Sequence, residues 1–339
     1  MNTIKEAYLY EKLPHNKVKC KTCWRECLIS DGKLGFCRTR KNRNGTLYSL
    51  EYGLISSLSI NPAEKKPFYH FYPGSMLITV GSWSCTFTCP WCQNHQISKH
   101  SPEDMESQSS IIYPERLVQM ALDKHCRGTS MSFSEPATFL EYMVDVFALA
   151  KENDLCNTVV TNGYFTTEAL DLLLENGAYA FNIDIKGDAD TYQTYCRADV
   201  DKVWQNVKRI KEKNAHLELT TLVIPEVNDD DNCLQGIAEK IINEAGPETP
   251  WHVSRYFPAY QFDKPATPID TLEKAYQLGK EKGLLYVYLG NVSGHPYENT
   301  YCPSCGEELI SRCNLTVGKN ILHHGKCPFC KTSIPVQDD

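Results

Sequence analysis

Three cysteines, Cys85, Cys89 and Cys92, stand in the stretch SWSCTFTCPWCQN with the spacing C-x3-C-x2-C. A loop so spaced offers three thiolates to one metal centre and leaves a coordination position open. A four-iron cluster held by only three protein sulfurs keeps one iron available to an outside ligand, and ligation and surroundings set the chemistry of such a cluster. The plainer reading is half of a zinc site, or buried thiols, although loops of that kind ordinarily supply two or four zinc ligands. Two more cysteine groups flank this one. Cys20, Cys23, Cys27 and Cys37 form C-x2-C-x3-C-x9-C, with Gly32 and Gly35 suited to turning the chain back on a metal. Four sulfurs close that site, and spacing alone does not separate a structural zinc from an auxiliary iron-sulfur cluster. Cys302, Cys305, Cys327 and Cys330 make two C-P-x-C knuckles, the arrangement that binds zinc tetrahedrally with a short hairpin between the knuckles. His323 and His324 precede the second knuckle and are expected as exposed loop residues, since four cysteines already suffice. The remaining cysteines, Cys126, Cys156, Cys196, Cys233 and Cys313, are scattered singly and read as small buried hydrophobes.

The elements that must position these residues show in the periodicity. From residue 77 short β-rich runs alternate with helical patterns: LITV, MSF, TVVTNG, AYAFNIDIK, LELTTLVIP, WHVSRYFP and LLYVYL, separated by segments with apolar residues at helical spacing. In TTEALDLLLENG, Leu170, Leu173 and Leu174 share a face and Gly177 offers the C-terminal cap. Strand-helix alternation of this length predicts an α/β fold of right-handed parallel units, either an open doubly wound sheet or a full or partial barrel. Functional residues then belong at the C-terminal strand ends. Cys85 to Cys92 follow the first strand, Ser134-Glu135-Pro136 the second, Thr161-Asn162-Gly163 the third, and Asp184 with Lys186 close the fourth. Taken singly, each of these is most often a turn or solvated surface, and their common edge is what singles them out. Before residue 77, NRNGTLYSLEYG predicts a hairpin turning at Asn44-Gly45.

At 339 residues and 38.5 kDa the chain can bury a large core. A formal net charge of -7 provides no general attraction for nucleic acid. No apolar run reaches the length of a membrane span, and the start MNTIKEAYLYEK lacks the hydrophobic stretch of a signal peptide, so a soluble cytoplasmic protein is expected. In such a chain sixteen cysteines point to metal rather than disulfides.

The segments NPAEKKPFYHFYPGSMLITVGSWSCTFTCPWCQN, SFSEPATFLEY, TNGY, FNIDIKG, TTLVIPEVND and YLGNVSGHPYENTYCPSCG follow in order the pattern of a known family. The chain resembles the AmmeMemoRadiSam-system radical S-adenosylmethionine (SAM) proteins, relatives of the pyruvate formate-lyase activating enzymes, from Cys20 to Pro335. The resemblance implies a partial (β/α)6-type radical SAM barrel over 61–296, with a four-cysteine lobe over 1–60 and a zinc-ribbon-like module over 297–339. It makes Cys85, Cys89 and Cys92 the ligands of a 4Fe–4S cluster whose free iron takes the amino and carboxylate groups of SAM. Trp91 is then expected by the SAM adenine and Asn94 near the SAM site. Ser134 and Glu135 stand where the family has a Gly-Gly-Glu segment receiving the SAM amino group, without its glycine freedom. Thr161, Asp184 and Lys186 align with residues near the SAM carboxylate. Val160 replaces an acid that helps hold a monovalent cation in the activating enzymes, which puts that cation in doubt.

The implied reaction is reductive cleavage of SAM to a 5′-deoxyadenosyl radical that abstracts hydrogen from a substrate. That substrate is a glycine on a partner protein, by analogy with the activating enzymes, or a molecule handled jointly with a Memo-type protein. A one-electron donor of flavodoxin or ferredoxin type is the expected partner, along with a Memo-type or AMMECR-type protein. Arg255, Tyr256 and Tyr260, at the sixth strand end, are candidates for the cavity floor. The competing reading is a non-catalytic scaffold with several zinc sites.

Overall fold

A computed structural model describes residues 3–338. The chain forms two compact units: the described residues up to Asn61 together with Met76–Phe181, and Pro62–Ser75 together with the residues from Asn182 onward. The four-cysteine lobe expected over 1–60 falls within the first unit and the ribbon-like module over 297–339 within the second.

In the first unit, β1 (Met76–Gly81), β2 (Gly128–Met131) and β3 (Cys156–Thr161) pair in parallel, Gly128 lying opposite Leu77 on one side and Cys156 on the other. The strand Ser57–Pro62 flanks β1. Buried positions run continuously from Leu77 to Gly81 in β1 and along β2, as they do in parallel sheets covered on both faces. The helices α1 (Pro114–Asp123) and α2 (Leu140–Glu152) make the crossovers between these strands, and α3 (Thr167–Glu175) follows β3. Thr166 caps α3 by accepting the Ala169 N–H at 3.2 Å, and Leu170 and Leu173 are buried. Gly177 takes φ +97° just past the helix end, the left-handed conformation for which its missing Cβ suits it.

Ahead of β1, the strands Arg40–Arg43 and Thr46–Ser49 form the expected hairpin, with Asn44 and Gly45 both at positive φ as a type I′ turn requires. A second small antiparallel sheet runs through Tyr10–Leu13, Lys17–Cys20 and Leu28–Ile29. Ala7, Val18, Cys20, Ile29 and Leu47 form the small core of this lobe.

The strand β4 (Ala178–Asp184) carries residues of both units, 178–181 of the first and 182–184 of the second. In the second unit β5 (His216–Val223), β6 (Trp251–Arg255) and β7 (Val287–Gly290) are again parallel, with Trp251 opposite Leu219 and Val287. The helices α4 (Val200–Glu212), α5 (Asp231–Ala245) and α6 (Ile269–Lys282) alternate with them. In α4 the buried Val203, Trp204, Val207 and Ile210 repeat at helical spacing, and Asp199 caps the start by accepting the Asp201 N–H at 2.9 Å. The buried Glu218 carboxylate of β5 accepts from His216 at 2.9 Å, His252 at 2.7 Å and the backbone N–H groups of Tyr69 and His70 at 3.0 and 2.8 Å. That network ties Pro62–Ser75 to this unit. Beyond β7 an antiparallel meander of Thr300–Tyr301, Glu308–Cys313 and Thr316–Asn320 packs Leu309 and Ile310 against Tyr286 and Tyr288. Among the described residues no helix is long and apolar enough to cross a membrane.

Candidate functional site

At the end of β1 the chain enters the three-cysteine loop. A Cβ on Gly81 would lie 3.0 Å from the Phe133 Cβ and 3.1 Å from the Ser132 carbonyl oxygen, so this strand end passes close to the chain leaving β2. Ser82 N–H then donates to Ser134 Oγ at 3.1 Å, Trp83 N–H to Glu51 Oε2 at 3.1 Å, and Ser84 N–H to the Ile97 carbonyl at 2.9 Å. Burial pushes the Glu51 carboxyl up to about 8, with the Trp83 N–H partly offsetting it. Ser84, next to Cys85, and Phe133, next to Ser134, both sit in the left-handed region at φ +68° and +71°. Strain of that kind costs on the order of 1–3 kcal/mol at a non-glycine residue and persists where surrounding bonds over-determine the backbone.

The loop presents its sulfurs among donors. Phe87 N–H lies 3.3 Å from Cys85 Sγ, Asn162 Nδ2 lies 3.8 Å from the same sulfur, and Ser98 Oγ lies 3.1 Å from Cys92 Sγ. Burial, reinforced by the Glu135 carboxylate, pushes the Cys85 thiol well above its ordinary value. A bound cationic centre would reverse that preference and hold a thiolate. Trp91 and Cys89 are buried.

The residues singled out at the next two strand ends meet each other. Glu135 is buried, and its Oε1 accepts from Ala137 N–H at 3.0 Å and Thr161 Oγ at 2.7 Å while its Oε2 accepts from Asn162 N–H at 2.9 Å. The Thr161 hydroxyl also accepts Gly163 N–H at 3.0 Å. Asn94 Nδ2 donates to the Phe133 carbonyl at 2.7 Å. Cys85, Cys89, Cys92, Trp91, Asn94, Ser134, Glu135 and Thr161 therefore all belong to the first unit, where hydrogen bonds link the loop to the ends of β2 and β3. Asp184 and Lys186 belong to the second unit and pair with each other at 3.0 Å. Asn228 Nδ2 holds the Lys186 carbonyl at 2.9 Å. Of the three cavity-floor candidates, Arg255 is tied through Nε to the Thr267 carbonyl at 2.8 Å, Tyr256 is fully buried with its hydroxyl on the Phe262 carbonyl, and Tyr260 is exposed.

Thr86 was not picked out by sequence reasoning, and Asn162 was named only as part of the Thr161-Asn162-Gly163 strand end, with no role of its own. Asn162 Nδ2 reaches Thr86 Oγ at 2.9 Å as well as the Cys85 sulfur, so it fastens the loop directly to the end of β3. Its signal was present in the Thr-Asn-Gly motif, which taken singly reads as a turn and gains weight only from its place at the common strand edge.

The three cysteine groups differ in how closely their sulfurs gather. Cys302, Cys305, Cys327 and Cys330 bring all four within 4.8 Å of one another, with Cys302 and Cys330 at 3.4 Å and Cys305 and Cys327 at 3.7 Å. That set could hold one metal ion. His323 and His324 are exposed and stand outside it. Among the described residues no other group gathers three such ligand atoms so tightly. Cys85, Cys89 and Cys92 do not all come within 4.8 Å of one another, and Cys20, Cys23, Cys27 and Cys37 line one pocket. Cys85 and Cys27 receive N–H donors at sulfur, and hydrogen bonds of that kind suit the sulfurs of an iron-sulfur cluster.

A strand-end loop of three separated thiols on a parallel α/β scaffold is the arrangement of the radical SAM proteins. The sequence matches the radical SAM superfamily over residues 83–233. It is 41% identical to the uncharacterised protein MJ0808 of Methanocaldococcus jannaschii over 336 residues, which is 98% of this chain and 99% of that one. The chain belongs to the radical SAM superfamily. Its fold is similar to that of SuiB of Streptococcus suis bound to S-adenosylmethionine, at a TM-score of 0.51 and 12% identity, covering 69% of this chain and 53% of that one. A domain of pyruvate-formate lyase-activating enzyme from Bacteroides vulgatus also matches, at a TM-score of 0.42 and 20% identity, over 48% of this chain and 99% of that one.

Proposed function

We propose that this chain is a radical SAM enzyme of the AmmeMemoRadiSam group, in which Cys85, Cys89 and Cys92 hold a 4Fe–4S cluster and its open iron takes SAM. The observation that carries this reading is the loop at the end of β1, which offers three thiols beside the ends of β2 and β3, with Cys85 Sγ next to the Phe87 N–H and the Asn162 amide and Cys92 Sγ next to the Ser98 hydroxyl. The cluster would supply one-electron cleavage of SAM to a 5′-deoxyadenosyl radical, and the cofactor carries that chemistry.

The chain's own residues position and exclude. Glu135 has both oxygens taken by three donors of this chain. It therefore braces the ends of β2 and β3 and leaves the SAM amino group to the backbone around Ser134. Thr161, bonded to Glu135, shares that bracing role. Trp91 gives the adenine an apolar surface, and the Asn94 amide fixes the loop against the Phe133 carbonyl near the methionine end. Lys186, oriented by Asp184, is the cation proposed for the SAM carboxylate. Cys302, Cys305, Cys327 and Cys330 hold a structural zinc, since Zn–S bonds of about 2.3 Å in a tetrahedron set sulfurs about 3.8 Å apart.

A low-potential donor of flavodoxin or ferredoxin type supplies the electron. The substrate is a hydrogen-bearing site on a Memo-type or AMMECR-type partner, or a molecule handled with one, and the reaction belongs in the cytoplasm. Anaerobic reconstitution, reduction and addition of SAM should release 5′-deoxyadenosine, and deuterium passing into it from a labelled partner would identify the substrate. Failure of a reduced, cluster-bearing protein to cleave SAM would refute the proposal.

A further inference from the structure

We propose that Cys20, Cys23, Cys27 and Cys37 hold a second 4Fe–4S cluster, set against the three-cysteine loop as its electron-transfer neighbour. The site stands on its own geometry; the electron-transfer role rests on the catalytic cluster proposed above.

The C-terminal quartet shows what a single-ion thiolate site looks like in this chain, with all four sulfurs within 4.8 Å. The N-terminal quartet uses the same residue type and also starts from a C-x2-C pair, yet it gathers no three sulfurs within that distance. Its four cysteines line one pocket together with Arg25, Phe36 and Arg40. A tetrahedral zinc would have to draw these sulfurs to about 3.8 Å from one another, whereas a cubane cluster binds one thiolate at each of its separated iron corners.

The surroundings suit an anionic cluster. Arg25 and Arg40 both line the cavity, and Arg40 is buried with its charge shared with Glu141 at 2.6 Å. Phe36 N–H donates to Cys27 Sγ at 3.4 Å, and Thr39 Oγ lies 3.2 Å from Cys37 Sγ. Hydrogen bonds to cluster sulfurs are one of the means by which a protein sets cluster potential. The Arg25 guanidinium stacks over the exposed Phe36 ring at 4.2 Å, both on the cavity wall.

The three-cysteine loop reaches this pocket through one residue. Thr86, the residue after Cys85, lines the cavity, and its carbonyl accepts Arg25 Nε at 2.9 Å. On the other side of Cys85, the Ser84 hydroxyl donates to the carbonyl of Cys37. One hydrogen bond and two short stretches of backbone therefore join a ligand of one site to a ligand of the other. Asn162 touches both Thr86 and the Cys85 sulfur and completes the connection. The transfer is a single electron: a low-potential donor protein reduces the N-terminal cluster, which is reoxidised as the catalytic cluster is reduced. No bond is made or broken and no proton moves.

The test is metal and sulfide analysis with EPR on anaerobically reconstituted wild type, the Cys85→Ala/Cys89→Ala/Cys92→Ala variant and the Cys20→Ala/Cys37→Ala variant. Wild type should carry about eight iron, about eight sulfide and one zinc per chain. The first variant should keep about four iron and a dithionite-reduced signal that SAM leaves unchanged. The second should lose about four iron and keep a signal that SAM shifts. In reduced wild type the two centres should broaden each other's spectra.

About four iron and two zinc per chain in wild type would overturn the second cluster; this count needs no variant to fold. Two clusters whose spectra are independent would overturn the electron-transfer role. Iron confined to a SAM-insensitive centre, present equally in wild type and the first variant, would support this site while refuting the catalytic reading.

Discussion

The C-terminal knuckles and the Cys85–Cys92 loop use the same side chain at almost the same local spacing and arrive at opposite geometries. In the knuckles, a hairpin between Cys305 and Cys327 folds two C-P-x-C turns face to face, and four sulfurs converge. In the loop, the chain comes off β1 with strained backbone at Ser84 and is pinned by Asn162, Ser134 and Glu51, and the three sulfurs do not gather within 4.8 Å of one another. Convergence closes a site and makes it structural. Three ligands instead of four leave a coordination position open, and that is where the proposed chemistry would occur.

The sharpest way to break this contrast is to remove one ligand from each region. Cys89→Ala should abolish SAM cleavage and leave the zinc content at one per chain. Cys327→Ala should do the reverse, releasing the zinc and lowering Tm while a cluster still forms in the loop, because a structural metal contributes folding energy directly. Zinc and iron contents that rise and fall together would mean the two regions are not independent.

The bracing carboxylates come next. Glu218→Gln in the second unit leaves imidazole donors facing an amide and should cost about 3 kcal/mol of stability, read by denaturant unfolding. Burial pushes the Glu218 carboxyl up, but hydrogen bonds from His216 and His252 outweigh it and hold it well below the usual range. Its folded value is depressed, so its stabilisation is present above the ordinary carboxylate range and is lost as pH falls below it. The Gln variant should lose that acid sensitivity. Glu135→Gln sets an amide against the Thr161 or Asn162 donors and should cost about 1–3 kcal/mol, with weakened SAM binding and unchanged zinc.

Smaller effects should follow at the edges of the account. Lys186→Met should weaken SAM binding about tenfold without changing iron content, as expected for the loss of one charge-assisted hydrogen bond. Glu51 behaves oppositely to Glu218. Its folded value is raised to about 8, so its contribution is full below the ordinary carboxylate range and fades as pH rises through about 8. Glu51→Gln should flatten the decline of Tm between about pH 5 and about pH 9.

Much of the α/β scaffold was legible because it is local. The apolar runs at 77–80 and 158–161, the leucine spacing of α3 with Gly177 behind it, and the Asn44-Gly45 turn all depend on residues within a few positions of each other. The strand-end rule then located Glu135 and Thr161. Their direct hydrogen bond was not legible, because whether two residues 26 apart share a proton depends on strand register. The same holds for Pro62–Ser75, which reads as the start of the α/β region but is anchored to Glu218 of the second unit through Tyr69 and His70. The seating of the N-terminal lobe on the three-cysteine loop was hidden for the same reason, since it rests on Arg25 with Thr86 and Cys37 with Ser84. The spacing of the N-terminal cysteines left zinc and iron-sulfur open because spacing does not report how far apart the sulfurs end up.

The most direct test is a paired anaerobic assay of wild type and Cys89→Ala, both reconstituted with iron and sulfide, reduced with dithionite and given SAM. The account predicts 5′-deoxyadenosine and methionine from wild type, and none from a Cys89→Ala protein that still holds its zinc. Equal product from both, or none from a wild type whose loop cluster is intact and reduced, would contradict it.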